Sequence, residues 1–156
     1  KITIFDNVII LRTFSKAIGM AGIRTGYIIS NNQNIKRLYS FRPMYEISSI
    51  SCLAIKEILK NYHIVKNYIK ETQKGKEYLI YQLNLMKLKS FKTYSNFILV
   101  NFRNKKLFNK IYNNLRKKGI LARNAPNIKA CQNHLRFTLG PKKIMQILVK
   151  EIKKSI

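Results

Sequence analysis

Carboxylates are what this chain has least of: six Asp and Glu stand against 31 Lys and Arg, a formal net charge of +25. Such an excess is the electrostatic footprint of proteins that bind phosphates, nucleic acid included. The lysines are dispersed, however. Lys36, Lys56, Lys66, Lys76, Lys87, Lys110 and Lys150 fall on different segments, usually flanked by apolar residues. They read as solvated faces of amphipathic helices in a chain biased toward Ile, Asn and Lys, so nucleic acid is not an expected partner. The field still draws small anions, whether substrates or cofactors. Cysteine is nearly as scarce. Cys52 and Cys131 stand far apart, with no metal-ligand spacing and no histidine at a useful offset, so neither a metal site nor a disulfide framework is expected. Free thiols in a reducing cytoplasm are the default. No apolar run approaches the roughly 18 residues of a membrane span, and Asp6 and Asn7 interrupt any signal-peptide core near the start. Low-complexity tracts and internal repeats are missing too. What remains, 46% hydrophobic with eight Phe and nine Tyr, is the composition of a folded chain long enough to bury a core.

The organising stretch is Thr13-Phe14-Ser15-Lys16-Ala17-Ile18-Gly19-Met20-Ala21-Gly22-Ile23-Arg24-Thr25-Gly26-Tyr27. An apolar run, Val8 to Leu11, leads into it and a second, Tyr27 to Ile29, leaves it. A lysine in a small-residue loop between two buried strands is expected to be poorly hydrated. That favours the neutral amine that attacks carbonyls. Thr13, Ser15 and Arg24 are donors of the kind that hold a phosphate: two hydroxyls and a guanidinium fork. The bland reading makes Lys16 one surface lysine among many, beside glycines that only shape a turn.

Ser-Lys-Ala-x-Gly-x-Ala-Gly-x-Arg-x-Gly-Tyr resembles the pyridoxal-phosphate lysine segment of class I/II aminotransferases, most of all the histidinol-phosphate aminotransferase branch. The resemblance implies that Lys16 forms the internal aldimine with pyridoxal 5'-phosphate. It implies also that Arg24, Ser15 and Thr13 contact the cofactor phosphate. The implied fold class is α/β: the end of the PLP-binding large domain of a fold type I aminotransferase, followed by an α+β small C-terminal domain.

Along the chain, Lys1 to Thr13 reads as a strand, its continuous apolar run suited to burial on both faces. Arg24 to Ser30 is a second strand and Asn34 to Ser40 a helix. Pro43 breaks any helix through Phe41–Glu46, where Arg42 is either an anion contact or a charge that ends a helix. Ser48 or Ser49 caps a helix over Ile50–Leu59. Tyr62 to Met86 is the longest helical pattern, with His63, solvent-exposed or capping, at its start and Gly75 interrupting it as a kink point. A domain boundary is placed inside it, with residues 1–70 in the large domain and 71–156 in the small one. Ser90–Phe102 reads as a strand and Asn104–Lys118 as a helix stopped by Gly119. Ile120–Arg123 follows as a strand, Pro126–Gln132 as a loop and Leu135–Leu139 as a strand. Gly140-Pro141 opens the last helix, with the proline in its first turn.

A second constellation lies in Gly119–Arg123 and His134–Gly140, two short strands with one arginine each. Paired guanidinium forks suit carboxylate or dianion recognition. Leu-Arg-Phe-Thr-Leu-Gly resembles the C-terminal Leu-Arg-Ile-Thr-Val-Gly of the same branch. The resemblance implies that Arg136 binds the anionic group of the amino donor and that Arg123 helps hold the substrate phosphate. By the same resemblance Asn96, in Ser-Asn-Phe-Ile-Leu, falls at a family position near the substrate. For each of these residues an ordinary strand-end role is the alternative.

The likeness covers only the second half of such an enzyme. The glycine-rich phosphate loop, the aspartate on the pyridinium nitrogen, and the asparagine and tyrosine on the ring oxygen have no counterpart. The one aspartate, Asp6, stands before the lysine strand. The chain is expected to be a fragment, inactive alone, of a cytoplasmic homodimer that transfers an amino group between glutamate and a phosphorylated carbonyl substrate. In that enzyme Lys16 also serves as the general base. A related enzyme on another phospho-ketone, a phospho-amino-acid decarboxylase, and a non-catalytic basic remnant that binds nucleic acid stay open as alternatives.

Overall fold

A computed structural model describes residues 4–124 and 128–156. The chain divides into two compact units, Lys1–Val65 and Lys66–Ile156.

The first unit opens on an antiparallel pair, β1 (Ile10–Thr13) and β2 (Gly26–Ile29), registered Ile10 to Ile29 and Thr13 to Gly26. The expected strand over residues 1–13 is thus four residues long, and positions 1–3 lie outside the described residues. Burial on both faces is also not found: Leu11 is 74% exposed, and Tyr27, Ile28 and Ile29 are exposed as well. Two strands alone have too little partner surface to cover their own faces. Helix α1 (Asn32–Tyr39) starts two residues earlier than expected, because the Asn31 side chain accepts from the Asn34 N–H and caps it. Residues 41–47 are non-helical around Pro43. Helix α2 (Ser49–Lys60) is capped by Ser48, whose hydroxyl accepts from the Ser51 N–H at 3.1 Å.

Helix α3 (Tyr62–Leu85) runs unbroken through Gly75, and the division between the units falls inside it. Gly75 makes no kink. A Cβ there would sit inside contact distance of the Gly140 carbonyl oxygen, so glycine is required by close approach of another backbone. The second unit holds a four-stranded antiparallel sheet in the order β3 (Lys89–Ser90), β4 (Phe97–Asn101), β6 (His134–Thr138), β5 (Arg123–Asn124). The single strand expected over Ser90–Phe102 is split. Thr93 Oγ1 accepts from the Ser95 N–H at 3.1 Å, and this local turn takes the chain out of the ladder. Ile120–Ala122 also stay outside the sheet; only Arg123 and Asn124 pair.

Helix α4 (Lys105–Lys117) is capped by Asn104, which accepts from the Leu107 N–H at 2.9 Å, and Gly119 leaves it at φ +71°. Residues 126–127 of the expected loop lie outside the described residues; Lys129–Cys131 forms a 3-10 turn. Helix α5 (Lys142–Lys153) begins after Pro141, which takes the capping position instead of the first turn. Ile98 and Val100 of β4 and Leu135 and Phe137 of β6 point to one face. There they close a core with Leu79 and Leu83 of α3, Ile111 and Leu115 of α4, and Leu148 and Ile152 of α5. With α3, α4 and α5 on that face, the period-2 alternation of the strands sends Phe97, Leu99, Arg136 and Thr138 to the other.

Candidate active site

The candidate residues fall in two groups, one in each unit. In the first, β1 ends at Thr13 and its ladder is extended by the Phe14 N–H donating to the Thr25 carbonyl at 3.2 Å. The intervening loop folds on itself. The Gly19 N–H donates to the Lys16 carbonyl, the Met20 N–H to that of Phe14, and Ala21–Ile23 forms a 3-10 turn. Because both ends of the loop return to one ladder, Thr13, Ser15 and Lys16 leave from one strand and Arg24 comes back on the other.

The Thr13 hydroxyl donates to Ser15 Oγ at 2.9 Å, and the Ser15 N–H donates to Thr13 Oγ1 at 3.1 Å. The two hydroxyls are therefore held side by side. Arg24 sits in the left-handed region at φ 50°, a conformation that costs about 1 kcal/mol or more in a non-glycine residue. Its Nη1 donates to the Ala21 carbonyl at 3.0 Å, which anchors one edge of the fork and leaves the others without a partner among the described residues. Lys16 is exposed. The poor hydration expected of it is not found, because the strands flanking its loop are themselves open to solvent. The loop is tied to the rest of the unit by the Ser51 hydroxyl, which donates to the Ile23 carbonyl at 3.1 Å. Two hydroxyls, an ammonium and a guanidinium thus share one end of a strand pair, and no carboxylate occurs between Asp6 and Glu46 to compete for them. That donor set fits a phosphate monoester carrying an aldehyde.

In the second unit Arg123 and Arg136 are register partners on β5 and β6. Arg136 is half-buried, and its guanidinium lies over the Phe97 ring, 4.8 Å from the centroid. Arg123 is exposed. Asn96 precedes β4, and its carbonyl accepts from the Leu139 N–H at 2.8 Å. Arg123 and Arg136, read in the sequence as a pair on two short strands, and Asn96 therefore sit on or beside one sheet. Phe97 was missed. Its signal was an aromatic on the strand facing an arginine strand, but its meaning depends on a register that the sequence alone does not contain.

Two other features stand apart from the candidate residues. Arg42 pairs with Glu46 (Nε–Oε2 2.8 Å) and covers the Tyr39 ring at 4.1 Å; the Glu46 hydrogen bond raises its pKa beyond the ordinary arginine value, so it is already satisfied. A pocket of about 280 Å³ in the second unit is lined by Lys105, Phe108, Asn124 and His134 among others, and by none of the candidate residues.

A short hairpin with a lysine in its loop, followed by a mixed unit of antiparallel sheet and helices, is an arrangement with known counterparts. Residues 4–152 match the family model "Aminotransferase class I and II", and the chain belongs to that family. Histidinol-phosphate aminotransferase of Pyrococcus furiosus is 37% identical over 156 residues, all of this chain and 43% of the relative. The crystal structure of histidinol-phosphate aminotransferase from Clostridium acetobutylicum superposes with TM-score 0.80 at 25% identity, over 98% of this chain and 47% of that one. That of the Sinorhizobium meliloti enzyme in complex with pyridoxal-5'-phosphate superposes with TM-score 0.75 at 22% identity, over 95% and 42%. The chain thus spans less than half the length of the relatives it matches.

Proposed function

We propose that the protein carrying this chain is a pyridoxal-phosphate-dependent aminotransferase that works between glutamate and a small phosphorylated carbonyl compound. The keto partner of histidinol phosphate is the first candidate. The observation that carries the reading is the donor set of the β1–β2 hairpin, in a chain matched to the aminotransferase family over residues 4–152. When bound, pyridoxal phosphate supplies an aldehyde that combines with amines and a ring that takes up an electron pair. Thr13, Ser15 and Arg24 hold its phosphate through hydroxyl and guanidinium N–H groups. Lys16 lies within the same loop and uses Nζ to attach the cofactor, and later to take and return the proton of the substrate α-carbon. Its desolvation must come from surfaces outside this unit, since here the side chain is exposed.

Arg136 offers its fork to the carboxylate of the amino donor, Arg123 adds charge for the substrate phosphate, and Asn96 stands beside them. The carboxylate that the family sets on the ring nitrogen is not among these residues. In the proposed enzyme it comes from the portion of the protein beyond this chain, and the enzyme is a cytoplasmic homodimer. The test is borohydride treatment of the complete protein with pyridoxal phosphate, followed by peptide mass mapping. A single adduct on Lys16, lost in Lys16→Ala, is expected. Labelling spread over many lysines, unchanged by that substitution, would overturn the reading.

A further inference from the structure

We infer that Phe97 is a positioning residue: its ring is the platform that holds the Arg136 guanidinium flat, with the donor edge free for an anion. The inference rests on reading Arg136 as an anion-binding residue and adds what keeps it in place. Register makes the contact possible. Leu99 faces Arg136 and Phe97 faces Thr138, so Phe97 is the diagonal neighbour of Arg136 on the same sheet face, within reach of long side chains. The guanidinium carbon lies 4.8 Å from the ring centroid. A guanidinium stacked on an aromatic face spends only its π surface there, and its five N–H groups stay in plane to meet a carboxylate or phosphate.

Arg136 needs such a holder because no carboxylate supplies one. The ion pairs among the described residues involve Arg42, Lys60, Lys74 and Lys154. No Asp or Glu occurs between Glu77 and Glu151. Its direct cross-strand partner, Arg123, repels it. The backbone that carries the ring is held in turn on its C-terminal side. Ile98 is wholly buried beneath the sheet, and the Ser95 hydroxyl donates to the Phe97 carbonyl at 3.3 Å.

The test uses the complete protein with two replacements at position 97. Phe97→Leu removes the ring, while pentafluorophenylalanine keeps its shape and reverses its quadrupole. Two readouts are taken: the mobility of the Arg136 Nε–H group by 15N NMR, and the affinity for glutarate as a dicarboxylate probe. Both replacements should loosen the Arg136 side chain and weaken glutarate about three- to tenfold, with the thermal midpoint of the fluorinated protein unchanged. Unchanged Arg136 mobility in the fluorinated protein would overturn the platform, whatever its activity. Failure of the parent protein to bind glutarate would instead count against the anion-site reading, and the mobility measurement would still decide the role of Phe97. If Phe97→Leu does not fold, the fluorinated ring alone decides.

Discussion

Arg123 and Arg136 stand directly opposite one another on adjacent antiparallel strands, one exposed and one half-buried, with no carboxylate among the described ion pairs to separate them. Like charges at paired positions repel across roughly 5 Å. The arrangement is therefore costly to the fold and useful to a site that takes an anion. Replacing Arg123 with Gln should raise stability by about 0.2–1 kcal/mol and lower affinity for a phosphorylated ligand. Urea midpoints and phosphate titration on the same sample check both. A variant that loses both stability and affinity would mean that the pair is structural.

Gly75 provides a test in which two effects have opposite signs. Alanine is the better helix former by about 1 kcal/mol, so an open helical site would gain from Gly75→Ala. Here the added methyl meets the carbonyl of Gly140 and the backbone of Pro141, neither of which can rotate away. Overpacking against backbone costs about 1–3 kcal/mol or more, so the substitution should destabilise despite the propensity gain. A denaturant midpoint equal to or above that of the parent would remove the close approach as the reason for glycine.

That residue also shows where sequence reasoning ran out. Helix α4 was legible from end to end, because its cap, its apolar stripe and its terminal glycine all lie within sixteen consecutive residues. The same holds for Ser48 at α2. Gly75 was visible as an anomaly, but its cause sits on a loop 65 positions away. The hairpin carrying Lys16 could be placed from its motif, yet its exposure could not: a continuous apolar run reports what a strand is built to meet, and here Leu11 and Ile28 meet solvent. Arg123 and Arg136 were legible as an arginine pair on two short strands, while their roles, and Asn96, came by resemblance. Their shared sheet, and Phe97 beneath one of them, follow from strand pairing that no local pattern states.

Glu151 should make the second unit sensitive to acid. The side chain is nearly buried on α5, and the Lys154 ammonium donates to its Oε1 at 2.8 Å. This hydrogen bond is the main cause that lowers its pKa below the ordinary value of 4.5; burial opposes it, and the charges of Lys154, Lys118 and Lys150 assist. A carboxyl whose folded pKa is depressed contributes stability that is present above its unfolded pKa and lost as pH falls through the folded value. Glu151→Gln should thus be less stable than the parent at neutral pH, and the two should converge in acid. Urea midpoints followed from neutral pH downward check this; parallel curves would place the acid response elsewhere.

Arg24 combines a backbone role and a charge role, and two substitutions separate them. At φ 50° a side chain is strained, and only glycine adopts that region freely. Arg24→Gly relieves the strain, which offsets the freedom added to the unfolded chain and the loss of one exposed hydrogen bond, so its stability should stay close to that of the parent. Both variants lose the Nη1 anchor on the Ala21 carbonyl, but Arg24→Ala also keeps the strain, so it should fall below the glycine variant by about 1 kcal/mol. Both lack the guanidinium, and both should lose affinity for pyridoxal phosphate by a similar factor, read by equilibrium dialysis of the complete protein. If the glycine variant binds the cofactor as well as the parent while the alanine variant does not, the loop conformation alone makes the phosphate seat. The charge assigned to Arg24 would then have no part in it.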